Sequence, residues 1–415
     1  MTDEDVLELQ VGQVAAGGSC VARAPDGRVV FVRHALPGER VRAVVTATTS
    51  SFLRADAVEV LEASPDRVEE PCVYARPGRC GGCDWQHVAL PRQRLLKAEL
   101  VEEQLRRLAG LTLPVTVEPV PGDTDGLGWR TRVQFGVRSD GTPGLHRHRS
   151  HDLEPVDACL IATPDVEAVE AERLRWIGAQ SVEVMAEGAQ RVVHVTSRRR
   201  GSAQLPEVDA GLVVDGRPLR VPHGVRHEVL GRSFEVAAGG FWQVHPGAAQ
   251  VLARTVLEVL DAQTGERVVD LFAGVGLFAA LLGDRVGPTG SVLAIEGDAR
   301  ACADAARNTA DLPHVRVRTA AVDADLVARG VGRPSLVVLD PPRAGAGLAV
   351  SRALVELRPR RIAYVACDPA SFARDLKVFL GAGWSMPVLR AFDLFPMTEH
   401  VELVALLESP RSEAI

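Results

Sequence analysis

Arg267-Val-Val-Asp-Leu-Phe-Ala-Gly-Val-Gly276 decides the fold of this chain. Arg267 to Phe272 reads as a short apolar strand, and Gly274 and Gly276 fall in the turn after it. Glycine in a strand-to-helix turn lets the backbone come close to a ligand. A helix is expected from Gly276 to Leu282, a strand from Ser291 to Ile295 and a helix from Ala299 to Thr309. Strands follow at Val315 to Thr319, Ser335 to Asp340 and Ile362 to Ala366. Pro246 opens a helix in front of this series. Such alternation predicts an α/β, doubly wound, Rossmann-like domain over residues 236–415. Its reactive groups belong outside the carboxyl ends of the strands.

The pattern upstream is different. Between residues 5 and 63, five short strands are expected at Val11–Val14, Ser19–Ala22, Val29–Val32, Arg40–Val45 and Ala55–Val60. Asp26-Gly27 is a hairpin signal and Pro37-Gly38 a turn. Residues 1–64 therefore predict a small OB-type β-barrel, an architecture often used on nucleic acids. Residues 65–235 predict a mixed α+β central domain that carries a cysteine-rich loop. Within it, Pro91 opens an amphipathic helix to about Ala109, which could pack on the catalytic domain. A second helix is expected near 164–178, and a loop near 201–207.

The 415 residues fit two or three domains, and 46% apolar residues are enough to fill real cores. No run of 18 apolar residues occurs, and the chain starts Met-Thr-Asp-Glu-Asp, so neither a membrane span nor a leader is expected. The formal charge of −7 gives no general attraction to polyanions. Of the 47 basic residues 45 are arginine, a forked donor suited to phosphate. Local patches say more than the total. Trp129–Arg138 alternates arginine with apolar residues, and His146-Arg-His-Arg-Ser-His151 and Arg198–Arg200 follow. Each is either a solvated face or a contact for a folded nucleic acid.

Three more features carry chemistry. Glu296 ends the strand after the glycine turn, where a carboxylate can accept both ribose hydroxyls. A dinucleotide fingerprint needs a third glycine, and Ala279 stands in its place. Asp270 and Asp340-Pro-Pro-Arg343 favour S-adenosylmethionine over NAD. Next, Cys367-Asp-Pro follows the apolar run Ile362–Ala366, at the tip where a thiolate can act as nucleophile. Asp368 beside it would oppose thiolate formation, so its carboxylate is expected to be capped or turned away. Finally, Cys80-Gly-Gly-Cys83, with Cys72 before it, can hold zinc, exchange disulfides or ligate an iron–sulfur cluster.

Phe241-Trp-Gln243-Val-His, the Asp270 glycine turn, Asp340-Pro-Pro-Arg-Ala-Gly, Tyr364-Val-Ala-Cys-Asp-Pro and Phe395-Pro-Met-Thr-Glu-His-Val-Glu402 occur in that order. Together they resemble the 5-methyluridine RNA methyltransferases, which act on tRNA or 23S rRNA. The N-terminal segment resembles their TRAM domain. The resemblance implies RNA uracil-C5 methylation, with Cys367 as nucleophile and Glu402 as base. It implies Gln243, Asp270, Phe272, Gly274, Gly276, Glu296, Asp323 and Asp340 around S-adenosylmethionine. Phe241, Gln243, Asp340 and Arg132 fall to the substrate. One branch of the family carries a [4Fe-4S] cluster, which implies Cys72, Cys80, Cys83 and Cys159 as ligands. Seven residues separate Cys72 from Cys80 where five are usual, and Ala75–Arg79 reads as a small insertion absorbed by a turn. The family also has Asn where His245 and Asp368 stand. A cytoplasmic monomer with an RNA partner and no membrane is expected. The rival readings are a cytosine-C5 methyltransferase and a silent RNA-binding protein of the same fold.

Overall fold

The computed structural model describes residues 6–410; the acidic start Met1–Asp5, read above as no leader, lies outside them. Strands β1 (Val6–Gln10), β2 (Cys20–Arg23), β3 (Val29–Arg33), β4 (Arg40–Thr48) and β5 (Phe52–Glu62) form one sheet in the order β1-β4-β5-β3-β2. The first strand lies ahead of the expected Val11–Val14. There, the Gly12 amide donates to the Val21 carbonyl, and a Cβ on Gly12 would sit 2.9 Å from that oxygen. Only Val14 pairs, through an isolated bridge to Cys20.

Helix α1 (Leu90–Gln104) runs on into a wider turn at Leu105–Ala109 and stops at Gly110, whose φ is +71°. Leu96 and Leu100 pack with the N-terminal sheet, whereas Ala98, Val101 and Leu105 enter the core under the C-terminal sheet. The helix thus joins the two parts. Strand β6 (Val117–Pro119) also leaves the central segment and pairs with the C-terminal sheet. The central sheet has the order β13-β12-β11-β10-β7-β8-β9. Its strands are β7 (Arg132–Val137), β8 (Pro143–His146), β9 (Leu153–Glu154), β10 (Ala179–Glu187), β11 (Gln190–Ser197), β12 (Gly211–Val214) and β13 (Arg217–Arg220). The helix expected near 164–178 shrinks to α2 (Pro164–Glu167) and a short 3₁₀ turn, because Glu170 takes a left-handed φ of +53°. A hairpin, β14 (Gly224–Val229) with β15 (Arg232–Ala237), leads into the catalytic part.

There, helices and strands alternate as expected. They are α3 (Ala248–Leu260), β16 (Arg267–Leu271), α4 (Leu277–Val286), β17 (Ser291–Glu296), α5 (Ala299–Asn308), β18 (Val315–Thr319) and α6 (Ala324–Arg329). Then come β19 (Leu336–Leu339), α7 (Leu348–Leu357), β20 (Arg361–Ala366), α8 (Pro369–Gly381), β21 (Ser385–Asp393) and β22 (Glu402–Glu408). The sheet runs β18-β17-β16-β19-β20-β22-β21-β6. Strands β16 to β20 are parallel, and β22 is antiparallel to both neighbours. Strand β19, Leu-Val-Val-Leu, is buried throughout, as a parallel strand covered on both faces must be. Helices α3 and α4 cover one face, and α1, α7 and α8 the other. Strand order reverses between β16 and β19, and both end at one crevice. That reversal is the switch point where doubly wound folds bind ligands. No helix among the described residues is long and apolar enough to cross a membrane.

Candidate active site

The glycine turn leaves β16 at this crevice. Phe272 and Gly274 have φ of +64° and +53°, and Gly276, at +86°, caps α4. A Cβ on Gly276 would lie 3.2 Å from that of Ala305, so the turn packs directly on α5. Glu296 at the end of β17 ties the turn down: its carboxylate accepts from the Gly274 amide at 3.0 Å and the Asp298 amide at 2.8 Å. Asp270 is fully buried and neither of its oxygens has a well-formed hydrogen bond. Burial raises its pKa well above the carboxylate range, the charge of Asp340 adds to this, and the nearby Ala279 amide pulls the other way. An orphaned buried carboxylate beside a glycine cradle calls for a polar ligand. Asp323, by contrast, is exposed and caps α6, accepting from the Leu326 amide at 2.8 Å.

One strand farther along stands the thiol. Ala366 of β20 pairs with Leu403 of β22, so Cys367 and Glu402 leave the ladder side by side. Glu402 is 3% exposed. Burial lifts its pKa well above the ordinary range, the charge of Asp340 lifts it further, and Arg343 opposes both. Burial also pushes Asp340 up to about 7. The Cys367 thiol is pushed up to about 12 by burial, then by Glu402 and Asp340, again with Arg343 opposing. These four side chains therefore form one electrostatic unit. Asp368 turns away from it: its carboxylate caps α8, accepting from the Ser371 amide at 2.7 Å.

A cavity of about 80 Å³ opens on the thiol, lined also by Ala16 and Gly17 of the N-terminal sheet region, Arg343, Glu399 and His400. Arg343 donates to Nε2 of His400 at 3.0 Å, and Nδ1 of His400 lies 3.4 Å from Glu399. That geometry needs a neutral imidazole, and burial followed by Arg343 lowers its pKa to about 4. Glu399 is pushed up to about 7 by burial and by Asp84. The loop that carries these residues is held from below by a buried ion pair. Nζ of Lys97, on α1, donates to Asp393 at 2.5 Å and to the Phe395 carbonyl at 3.0 Å. Sequence alone offered no sign of this pair, because a lone lysine on an amphipathic helix reads as solvent-exposed. Lys97→Met is expected to cost about 3 kcal/mol, the low end for breaking a buried pair, since Arg94 remains 3.2 Å from Asp393. Chemical denaturation measures it, and an unchanged midpoint would refute the pair's role.

Of the expected substrate residues, Phe241 is 68% exposed and free to stack, and Gln243 is half-buried. Arg132 does not fit its expected role. It is buried, donates to the Gly240 carbonyl at 2.5 Å and lies 3.6 Å from Glu183, so it braces the Phe241 loop from inside. His245 stacks on Trp129 with ring centroids 5.9 Å apart.

The four central cysteines line a second cavity of about 200 Å³, together with Gln86 and Arg130. Burial raises the Cys83 thiol beyond the ordinary range, and Cys159, Cys80 and Cys72 all add to it. The Gly82 amide donates to Sγ of Cys80 at 3.4 Å. The extra residues between Cys72 and Cys80 close as a turn, with the Arg79 amide donating to the Arg76 carbonyl. Cys20 and Cys302 are buried elsewhere. Among the described residues no three His, Cys, Asp or Glu side chains converge tightly enough to share one metal ion.

A family model for the TRAM domain matches residues 5–58. An uncharacterized RNA methyltransferase of Streptomyces avermitilis is 50% identical, over 97% of this chain and 98% of its own length. The chain belongs to the RNA methyltransferase family. A second relative, the 23S rRNA (uracil(1939)-C(5))-methyltransferase RlmD of Chromohalobacter salexigens, is 35% identical over 98% of this chain and 90% of its own. Among solved structures, the tRNA (uracil-54, C5)-methyltransferase of Pyrococcus abyssi, in complex with S-adenosyl-L-homocysteine, shares the fold. It has a TM-score of 0.70, covering 96% of this chain and all of that one at 22% identity. This methyltransferase therefore has a Rossmann-like catalytic fold behind an N-terminal TRAM domain.

Proposed function

We propose that this RNA methyltransferase methylates C5 of a uracil in rRNA or tRNA through a covalent adduct with Cys367. The observation that carries the reading is the β20–β22 register, Ala366 with Leu403, which sets a thiol and a buried carboxyl together over Asp340. The 35% identity to an rRNA uracil-C5 methyltransferase agrees with it. Uracil C5 is a poor nucleophile. The Cys367 thiol gives up its proton to solvent and the thiolate adds to C6, which makes the ring an enolate whose C5 is reactive. S-adenosylmethionine supplies the electrophilic methyl group when bound. Glu402 then takes the C5 proton, the carbon–sulfur bond breaks and Cys367 leaves as the thiolate. Phe241 stacks on the flipped base, and Gln243 and Asp340 hold its edge.

The cofactor cradle is Phe272, Gly274, Gly276, Glu296 and the unpartnered Asp270, with Asp323 at its rim; the orphaned Asp270 carboxylate supports a polar ligand there. Of the described residues, those up to 64 make the RNA-facing, OB-type barrel, 65–235 the cysteine-bearing domain and those from 236 on the methyltransferase domain, all in one cytoplasmic, monomeric chain.

Asp340 offers a test between pyrimidines. An ionised carboxylate accepts the N3–H of uracil, whereas cytosine N3 needs a donor. Activity on uracil is expected to rise with pH through about 7, as Asp340 ionises, and Asp340→Asn should lose that limb. A limb that falls with pH would favour cytosine.

Cys72, Cys80, Cys83 and Cys159 are proposed to hold a [4Fe-4S] cluster. Zinc would need all four sulfurs about 2.3 Å from one ion. The four cysteines line one cavity of about 200 Å³, and in a cluster each thiolate binds a different iron. Anaerobically purified protein should carry about four irons per chain by that stoichiometry. Serine at any one of the four should lose iron, while serine at Cys20 or Cys302 should not. Stoichiometric zinc without charge-transfer absorbance would sink the assignment.

A further inference from the structure

Asp340 and Arg343 leave β19 on one loop, and two residues unused by the chemistry above fasten the far end of that loop. The Gly345 amide donates to the Pro342 carbonyl at 2.8 Å, which closes a turn with Arg343 inside it. Gly345 has a φ of +82°, and a Cβ there would fall 2.7 Å from the Asp375 carboxylate and 3.1 Å from Cβ of Ser371. The turn therefore rests directly on α8, the helix that starts just after Cys367. Two hydrogen bonds hold it there. The Ala346 amide donates to the Tyr364 hydroxyl at 3.1 Å, and the Gly347 amide donates to the Asp375 carboxylate at 3.1 Å. The Tyr364 hydroxyl in turn donates to the same Asp375 oxygen at 2.7 Å. Tyr364 lies on β20 and pairs with Leu339, the residue before Asp340. Tyr364 is fully buried and Asp375 nearly so. Burying a phenol and a carboxylate is costly unless both are hydrogen-bonded, and here their bonds close on each other and on this turn. Arg343 itself lines the Cys367 cavity and donates to His400, whereas neither Tyr364 nor Asp375 lines that cavity.

We propose that Tyr364 and Asp375 are positioning residues, a latch that ties the Pro342–Gly345 turn to α8 and so fixes Arg343 beside Cys367. An arginine side chain is long and flexible, so a fixed backbone is what keeps its charge in one place. Burial, Glu402 and Asp340 all disfavour the Cys367 thiolate, and Arg343 is the charge that favours it. Burial and then the charge of Asp375 raise the Tyr364 hydroxyl above its ordinary range, so it remains a donor to the carboxylate. The value of the latch to catalysis rests on Cys367 being the nucleophile; the latch itself does not.

The test is the rate at which iodoacetamide alkylates Cys367 in the full chain, without RNA or methyl donor, at mildly alkaline pH, read by peptide mass spectrometry. Tyr364→Phe, which keeps the ring in the core, should slow alkylation roughly tenfold, the thiolate lost for one unit of pKa. Asp375→Ala should slow it as much. Asp375→Asn should react like the wild type, because its amide oxygen can still accept from both donors. In an Arg343→Met background, already slow, Tyr364→Phe should add nothing, since both act through one charge. Thr309→Val removes a buried hydroxyl at the end of α5 and should change nothing. A merely structural role would loosen the site and expose the thiol, so alkylation that is unchanged or faster in Tyr364→Phe would overturn the latch. Slowing that persists in the Arg343→Met background, or an Asp375→Asn as slow as Asp375→Ala, would overturn it too. Slowed alkylation in the latch variants, beside a 5-fluorouridine adduct that survives Cys367→Ala, would instead sink the nucleophile assignment and leave the latch standing.

Discussion

Cys367→Ala is expected to abolish methyl transfer while leaving cofactor binding nearly unchanged. The cavity is small and the substitution removes only a sulfur, so Asp270, Glu296 and the glycine turn are untouched. With 5-fluorouridine in the RNA, the wild type should form a complex that survives denaturation, because fluorine cannot leave as a proton. Cys367→Ala should form none. A persistent complex in that variant would assign the nucleophile elsewhere. The electrostatics add a condition. A thiol pushed up to about 12 is not a nucleophile at rest. Burial is the largest cause, and the charges of Glu402 and Asp340 come next. A hydrogen bond from the base to Asp340 would relieve one of them, and Arg343 already favours the thiolate. The free enzyme should therefore react slowly with iodoacetamide at neutral pH, and Arg343→Met should make it slower still. Rapid alkylation of Cys367 without RNA would contradict this coupling.

The catalytic sheet was legible because its signals are local. A strand, two glycines and an apolar helix occupy one short window at Arg267–Leu282, and continuous apolar runs mark buried parallel strands. The Asp368 cap was legible for the same reason, since its partner Ser371 is three residues on. What failed was non-local or conformational. The partner of Lys97 lies 296 residues away. Arg132 sits in an alternating basic run, yet the pleat turns it toward Gly240 and Glu183. The helix expected near 164–178 ends at Glu167, and Glu170 beyond it adopts a left-handed conformation that propensity disfavours. Strand β6, which crosses from the central segment to the catalytic sheet, carries composition typical of either. Only its pairing with β21 reveals where it belongs.

Glu402→Gln should separate the two halves of the reaction. Glutamine is nearly isosteric with the buried Glu402, so adduct formation and methyl transfer should persist. It cannot accept the C5 proton, so the methylated adduct should accumulate and turnover should fall by about 10²–10⁴-fold, the usual cost of a lost general base. Burial and Asp340 both favour the protonated carboxyl, which makes Glu402 a strong base once its proton is gone. Glu399 lines the cavity too; its carboxylate lies 3.4 Å from Nδ1 of His400, and its amide donates to Asp84. Rapid-quench experiments with labelled methyl donor distinguish the outcomes: protein-bound label that chases slowly into RNA supports Glu402 as base. Near-normal turnover with no trapped adduct would move the role to Glu399, and Glu399→Gln would then show the accumulation instead.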